Sequence, residues 1–195
     1  MQTEVVVVLA HGGWADGSSW NKVIAGLRSE GVKAVAAPLP MTTLADDVAA
    51  VDQMLERVEG PVVIAAHYWA EHHPQAPELG PDHHGLIWLP EEAFGTAFAQ
   101  HASALEQALL AATQRPLAAA CISVPVPRPA WKDRPSWFFV AEQDRMIPAE
   151  TQRFMAERMK ARVHTAPCDH VPMITKAPAV VDILLEAAGE AAARP

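Results

Sequence analysis

Val5-Val6-Val7-Val8-Leu9-Ala10-His11-Gly12-Gly13-Trp14 is the stretch from which the fold follows. Its first six residues are apolar without alternation, the pattern of a strand buried on both faces in a parallel sheet. Working outward, residues 18–30 place Trp20, Val23, Ile24 and Leu27 at i, i+3, i+4 and i+7, with Gly31 as a stop. A helix is therefore expected after the strand, with Ser18 and Ser19 as its caps. Residues 32–37 predict a second strand and 61–66 a third. Between them, 43–59 predict a helix with Leu44, Val48, Val51, Leu55 and Val58 on one stripe. The order resumes with strands over 136–141 and 162–166 and helices over 148–161 and 178–193. This alternation predicts an α/β fold, a mostly parallel sheet with flanking helices, as a single domain over residues 1–195. Residues 68–135 break the pattern. The part from 69 to 90 is rich in Pro, His and Gly, 91–114 is Ala-rich and reads as one or two helices, and 115–135 is proline-rich and irregular. The insertion reads as a small helical lid.

Composition narrows the function classes. Half of the 195 residues are apolar and 19% are charged, which excludes a disordered, collagenous or coiled-coil chain. The net charge is -8, and 15 Lys+Arg are scattered against 23 Asp+Glu. Nucleic acid and anionic membrane surfaces need a positive patch, so neither is expected as a partner. Cys121 and Cys168 are too few for a disulfide framework. The N-terminal apolar run is too short to span a membrane, and the acidic Glu4 stands where a leader carries basic residues. A cytoplasmic protein without a cofactor, acting on a small molecule, is the expectation.

In open α/β sheets ligands bind beyond the C-terminal ends of the strands, so the residues that follow each strand are the candidates. They are His11-Gly12-Gly13-Trp14, His67-Tyr68-Trp69, Glu142-Gln143-Asp144-Arg145 and Cys168-Asp169-His170. His170 and Asp144 suit a base and the acid that fixes its tautomer. The same spacing fits a surface acid and a loop histidine that never meet. Gly12-Gly13 allows close backbone approach to an oxyanion, or makes a plain turn. Trp14 and Trp69 each follow a strand end and are placed in a pocket, whereas Trp20, Trp131 and Trp137 read as packing. His67, His72, His73, His83 and His84 lie close together beside Glu71, Glu78 and Asp82. Their spacing matches no established ligand pattern, and no metal is assigned.

With these positions in place the chain resembles the α/β-hydrolase superfamily, in the branch of plant salicylate methylesterases, hydroxynitrile lyases and their bacterial relatives. The resemblance rests on residues 7–20, 141–148 and 152–155 and on Asp169-His170, with Ala111-Ala112-Thr113-Gln114-Arg115-Pro116 and Pro135-Ser136-Trp137 between them. It covers roughly residues 1–67 and 80–188. It implies that Asp144 is the triad acid and His170 the triad base. It also implies that the backbone N–H groups of Gly13 and Trp69 form the oxyanion hole, with His11 and His67 beside them.

The departure from the family lies at the nucleophile. The G-x-S-x-G elbow expected after the third strand is here Ala66-His67-Tyr68-Trp69-Ala70, with Tyr68 in the serine's place and both glycines replaced by alanine. A phenol, with a pKa of about 10, forms a stable aryl ester rather than one poised to turn over. The expected chemistry is therefore His/Asp acid–base work of lyase, isomerase or cyclase type on a small apolar ester, carbonyl or phenolic substrate, with Tyr68 as a hydrogen-bond or proton donor. The alternative is a catalytically impaired homologue that binds a small ligand or partner. The chain also lacks room for the helix and strand that the family places next, so the fold is shortened in the middle. Residues 117–126 are the internal candidate for the vacant strand position, and a partner chain, as in a homodimer, is the external one.

Overall fold

The computed structural model describes residues 4–67, 73–126 and 128–194. Strand β1 (Val6–Ala10) is buried along its whole length, with Val7, Val8 and Leu9 at zero exposure. Its unbroken apolar sequence is explained by cover on both faces and a strand on either side. The chain leaves β1 through Trp14, which adopts a left-handed φ of 58°. That conformation is sustained by the Trp14 N–H donating to Arg115 O at 3.0 Å and the indole N–H donating to Ile87 O at 3.0 Å. A 3-10 turn, Gly17–Trp20, leads into helix α1 (Asn21–Ser29). Its cap is Asp16, not Ser18 or Ser19: the Asp16 carboxylate accepts the Ser18 N–H at 2.8 Å. Strand β2 (Lys33–Ala37), helix α2 (Leu44–Leu55) and strand β3 (Val62–Ala66) follow. Strands β2 and β3 flank β1 in parallel register, with Val8 opposite both Val35 and Ile64.

The interrupted middle is built from short pieces. Strand β4 (Leu86–Ile87) pairs antiparallel with β5 (Leu117–Ala118). Between them, helix α3 (Glu91–Ala93) runs on into a π-helical turn, Phe94–Phe98, and α4 (Ala104–Thr113) begins on a Ser103–Glu106 capping box. Helix α5 (Ala119–Ile122) and a 3-10 turn, Ala130–Lys132, complete the segment. The expectation that 117–126 fills the vacant strand position is overturned. Two of its residues join β4, the next four are helical, and none enters the parallel sheet.

Strand β6 (Trp137–Ala141), helix α6 (Ala149–Arg158) and strand β7 (Arg162–Ala166) form a second parallel pair. Among the described residues no strand links β3 to β6. Helix α7 (Pro172–Thr175) and the closing helix α8 (Ala177–Ala192) follow. Helix α8 packs on β1, β3 and β6 and on α1. Its contact with α1 is close enough that a Cβ on Gly26 would lie 2.7 Å from Val181 Cγ2, so glycine is what the crossing requires. The fold is the α/β arrangement expected, parallel strands with flanking helices, shortened in the middle, where no strand among the described residues stands between β3 and β6.

Candidate active site

Because β6 and β7 are adjacent and parallel, the loops that follow them leave at the same end. That places Asp144 beside His170. His170 Nδ1 donates to Asp144 Oδ2 at 2.9 Å, and both side chains are about 3% exposed. Asp144 Oδ1 accepts two backbone N–H groups, from Met146 at 2.7 Å and Ile147 at 3.0 Å. Burial works to raise the Asp144 carboxyl, but the His170 ring and these N–H donors outweigh it and hold the group below the ordinary carboxylate range. With Nδ1–H committed to Asp144, the nitrogen left for proton exchange is Nε2, which no other described residue bonds. The His170 and Asp144 side chains, which the sequence left either paired or apart, therefore do meet.

His67, one residue beyond β3, joins them. Its backbone N–H continues the ladder to Ala10 O at 3.1 Å, its Nε2 donates to His170 O at 3.0 Å, and its ring stands edge-on to the His170 ring at 4.5 Å. Burial, helped by the nearby His170 ring, pushes the His67 imidazole down to about 3, so it is neutral at physiological pH. The ring occupies the space that a Gly12 side chain would need: a Cβ there would lie 2.4 Å from His67 Nδ1. Gly13 is freer, since its Cβ would meet only Leu117 at 3.5 Å. His11 is buried, and its Nδ1 donates to Gly12 O at 3.0 Å. Burial lowers the pKa of His11 as well. Trp14 is 1% exposed and stands edge-on to Phe98, which in turn packs on the His170 ring at 5.2 Å. Tyr68 and Trp69 lie outside the described residues, as does His72.

Three residues with no role assigned from sequence support this site. Gln152 on α6 donates to Asp144 Oδ2 at 2.9 Å. Asp169, fully buried, accepts the His101 N–H at 2.8 Å and the Thr175 hydroxyl at 2.5 Å. Phe98 covers the His170 ring from the π-helical turn. The first two stand inside the quoted motifs, but no periodicity or spacing marks a buried hydrogen-bond partner.

Other candidates do not converge. Cys168 is buried, which pushes its thiol up to about 12, and Cys121 is raised by burial to about 11. Neither is a thiolate nucleophile. Among the described residues no group of three or more His, Cys, Asp or Glu is placed to hold a metal ion, and His83 and His84 stack on each other at 3.8 Å. No helix of the described residues is long and apolar enough to cross a membrane.

Comparison with known proteins agrees with the fold. The chain superposes on a methylesterase from Arabidopsis with a TM-score of 0.81 at 12% identity, covering 95% of this chain and 99% of that one. Polyneuridine aldehyde esterase gives 0.79 at 15% identity, covering 94% and 99%. A variant of tomato methylketone synthase I complexed with β-ketoheptanoate gives 0.82 at 15% identity, covering 96% and 98%. At these identities the likeness is one of fold. No curated protein matches the sequence significantly. The family model of the alpha/beta hydrolases matches residues 68–183, more than half of the sequence, and the chain belongs to the alpha/beta hydrolase family.

Proposed function

We propose that the chain is an α/β-hydrolase-fold enzyme that uses His170 and Asp144 for acid–base chemistry on a small apolar carbonyl compound, without a covalent acyl intermediate. The observation that carries this reading is a complete, buried His170–Asp144 pair in a sequence with tyrosine in the nucleophile's place. In this reading Asp144 holds the His170 ring and its Nε2 moves the proton. The Gly13 N–H and the Tyr68 hydroxyl receive the developing negative charge on the carbonyl oxygen. Trp69 supplies apolar surface, whereas Trp14, 1% exposed, packs behind Phe98, and His67 stands behind His170.

A reaction that needs no nucleophile fits this set. One fold neighbour, methylketone synthase, is complexed with a β-keto acid, and such a compound serves as a probe for the class. Its carboxyl carbon–α-carbon bond breaks, CO2 leaves, and the electron pair passes into an enolate held at the carbonyl oxygen. His170 Nε2, having first taken the proton of the substrate's carboxyl group, returns it to the α-carbon and completes the ketone. Atoms and electrons balance with no oxidant, reductant or metal.

The test is CO2 release from β-ketoheptanoate alongside p-nitrophenyl acetate hydrolysis. We expect turnover of the keto acid, no burst of nitrophenol, and a loss of at least about 100-fold in His170→Ala. A stoichiometric burst would sink the reading in favour of an acyl-enzyme. A second reading, a homologue that binds ligand without turning it over, is favoured by the loss of both elbow glycines, replaced by Ala66 and Ala70. It requires no turnover by the unmodified protein and equal binding by His170→Ala.

A further inference from the structure

We infer that Gln152 is a positioning residue that fixes how the Asp144 carboxylate is turned and, through it, which nitrogen of His170 carries the proton. The inference rests on the reading of His170 and Asp144 as the acid–base pair. Gln152 is 6% exposed, in the first turn of α6. Its Oε1 accepts the Ala141 N–H at 2.9 Å. Its Nε2 faces three oxygens: Asp144 Oδ2 at 2.9 Å, Ile147 O at 3.0 Å and Ala141 O at 3.4 Å. The amide cannot be reversed, because that would set its oxygen against three oxygens and its NH2 against a donor. An N–H is therefore aimed at Asp144 in every arrangement that satisfies this buried cluster.

The consequence follows from the inventory of donors on the carboxylate. Oδ1 is taken by the Met146 and Ile147 N–H groups. Oδ2 is shared by His170 Nδ1 and Gln152 Nε2. Two donors on each oxygen fix both the plane of the carboxylate and its ionised state. An ionised Oδ2 in that plane accepts the proton on Nδ1 and leaves Nε2 facing away from Asp144. Without Gln152, Oδ2 would be held by His170 alone. Gln152 also splices the end of β6 to α6 through Ala141 and Ile147, and the experiment separates that mechanical role from the one proposed.

Protein labelled with 15N-histidine reports the His170 tautomer from its ring nitrogen shifts, and the proton shared with Asp144 gives a downfield resonance, without any substrate. Wild type is compared with Gln152→Met, which removes both polar groups, and Gln152→Glu, which keeps the acceptor for Ala141 and sets a second carboxylate against Oδ2. We expect the wild-type spectrum to show the Nδ1–H tautomer with its downfield proton. In both variants that proton is lost or moves upfield and the tautomers mix. With a substrate in hand, kcat falls roughly tenfold while KM stays within about twofold, the pattern of a misdirected base rather than lost binding. Unchanged tautomer and downfield proton in either folded variant, whatever its Tm, would overturn the proposal and leave Gln152 as a splice. If neither variant folds, the wild-type Gln152 side-chain resonance decides. It must move as Asp144 titrates on acidification, and a resonance indifferent to that titration counts equally against the proposal. Failure of the proposed function is recognised separately, as an intact tautomer with no turnover.

Discussion

Gly12 and His67 are matched so closely that each explains the other. The glycine leaves the volume that the imidazole fills, and the imidazole in turn holds the carbonyl of His170. Gly12→Ala must push the ring or the β1–β3 ladder aside, so it should cost about 1–3 kcal/mol in urea denaturation. Gly13→Ala, with only Leu117 near, should stay within about 0.5 kcal/mol. His67 also sets a pH dependence. Its folded pKa of about 3 lies below the unfolded value of 6.5, so between these limits the unfolded chain binds a proton that the native protein does not. Stability from this group is complete above pH 6.5 and falls on acidification, with a slope approaching about 1.4 kcal/mol per pH unit. Urea titrations between pH 7 and pH 5 should show the slope, and His67→Gln should flatten it. Asp144, held below the ordinary carboxylate range, adds its own loss only at lower pH, as acidification passes through its folded pKa. The sequence showed His67, Asp144 and His170 because all three sit at strand ends. It could not show that the His67 ring backs onto Gly12, because that contact joins residues 55 positions apart.

The turn Phe94–Phe98 and the chain after it form the element that closes over the site. It is tied down at three points: Asp169 accepts the His101 N–H, Arg145 donates to Thr96 O at 2.9 Å, and Gln100 donates to Gln143 O at 2.7 Å. These bonds anchor the cap to the loop of Asp144 and to the loop of His170. Asp169 is the strongest of them, since its buried carboxylate serves the His101 and Val171 N–H groups and the Thr175 hydroxyl. Asp169→Ala leaves the His101 and Val171 N–H groups without an acceptor, with Thr175 keeping only Val171 O, and should cost about 2–4 kcal/mol in denaturant titration. Hydrogen exchange at the His101 amide should lose its protection while amides in α8 keep theirs. A variant with His101 still protected would show that the cap is held by packing alone. The helical content of this segment was legible from its alanines and leucines. Whether the segment breaks, and that it does so between Phe98 and Ser103, was not, because Asp169, on a distant loop, is what captures the N–H of His101.

At the scale of the whole molecule the parallel sheet is divided. The β1–β3 part and the β6–β7 part share no backbone ladder among the described residues, and α8 packs on both. Glu186 on α8 accepts from Trp137 at 2.8 Å, from Arg162 at 3.2 Å and from His164 at 2.9 Å, which fastens the second pair of strands to the helix. This arrangement lets His170, with Asp144 behind it, reach His67 although no strand among the described residues stands between β3 and β6. Sequence alone determined strands β1, β2, β3, β6 and β7 and helices α1, α2, α6 and α8, because continuous β-branched runs and apolar stripes at helical spacing record which faces each element buries, whereas the short pieces β4, β5, α5 and α7 leave no such pattern. It also determined the order of polar residues at the strand ends, and the loss of the serine. Only the tertiary structure decided that residues 117–126 stay out of the parallel sheet and that Asp16 caps the first turn. It alone brought Phe98 to the His170 ring, Gln152 to the Asp144 carboxylate and Asp169 to the His101 N–H. Burial leaves a periodic trace along the chain, whereas a hydrogen bond between distant loops leaves none until the fold has set its donor and acceptor about 3 Å apart.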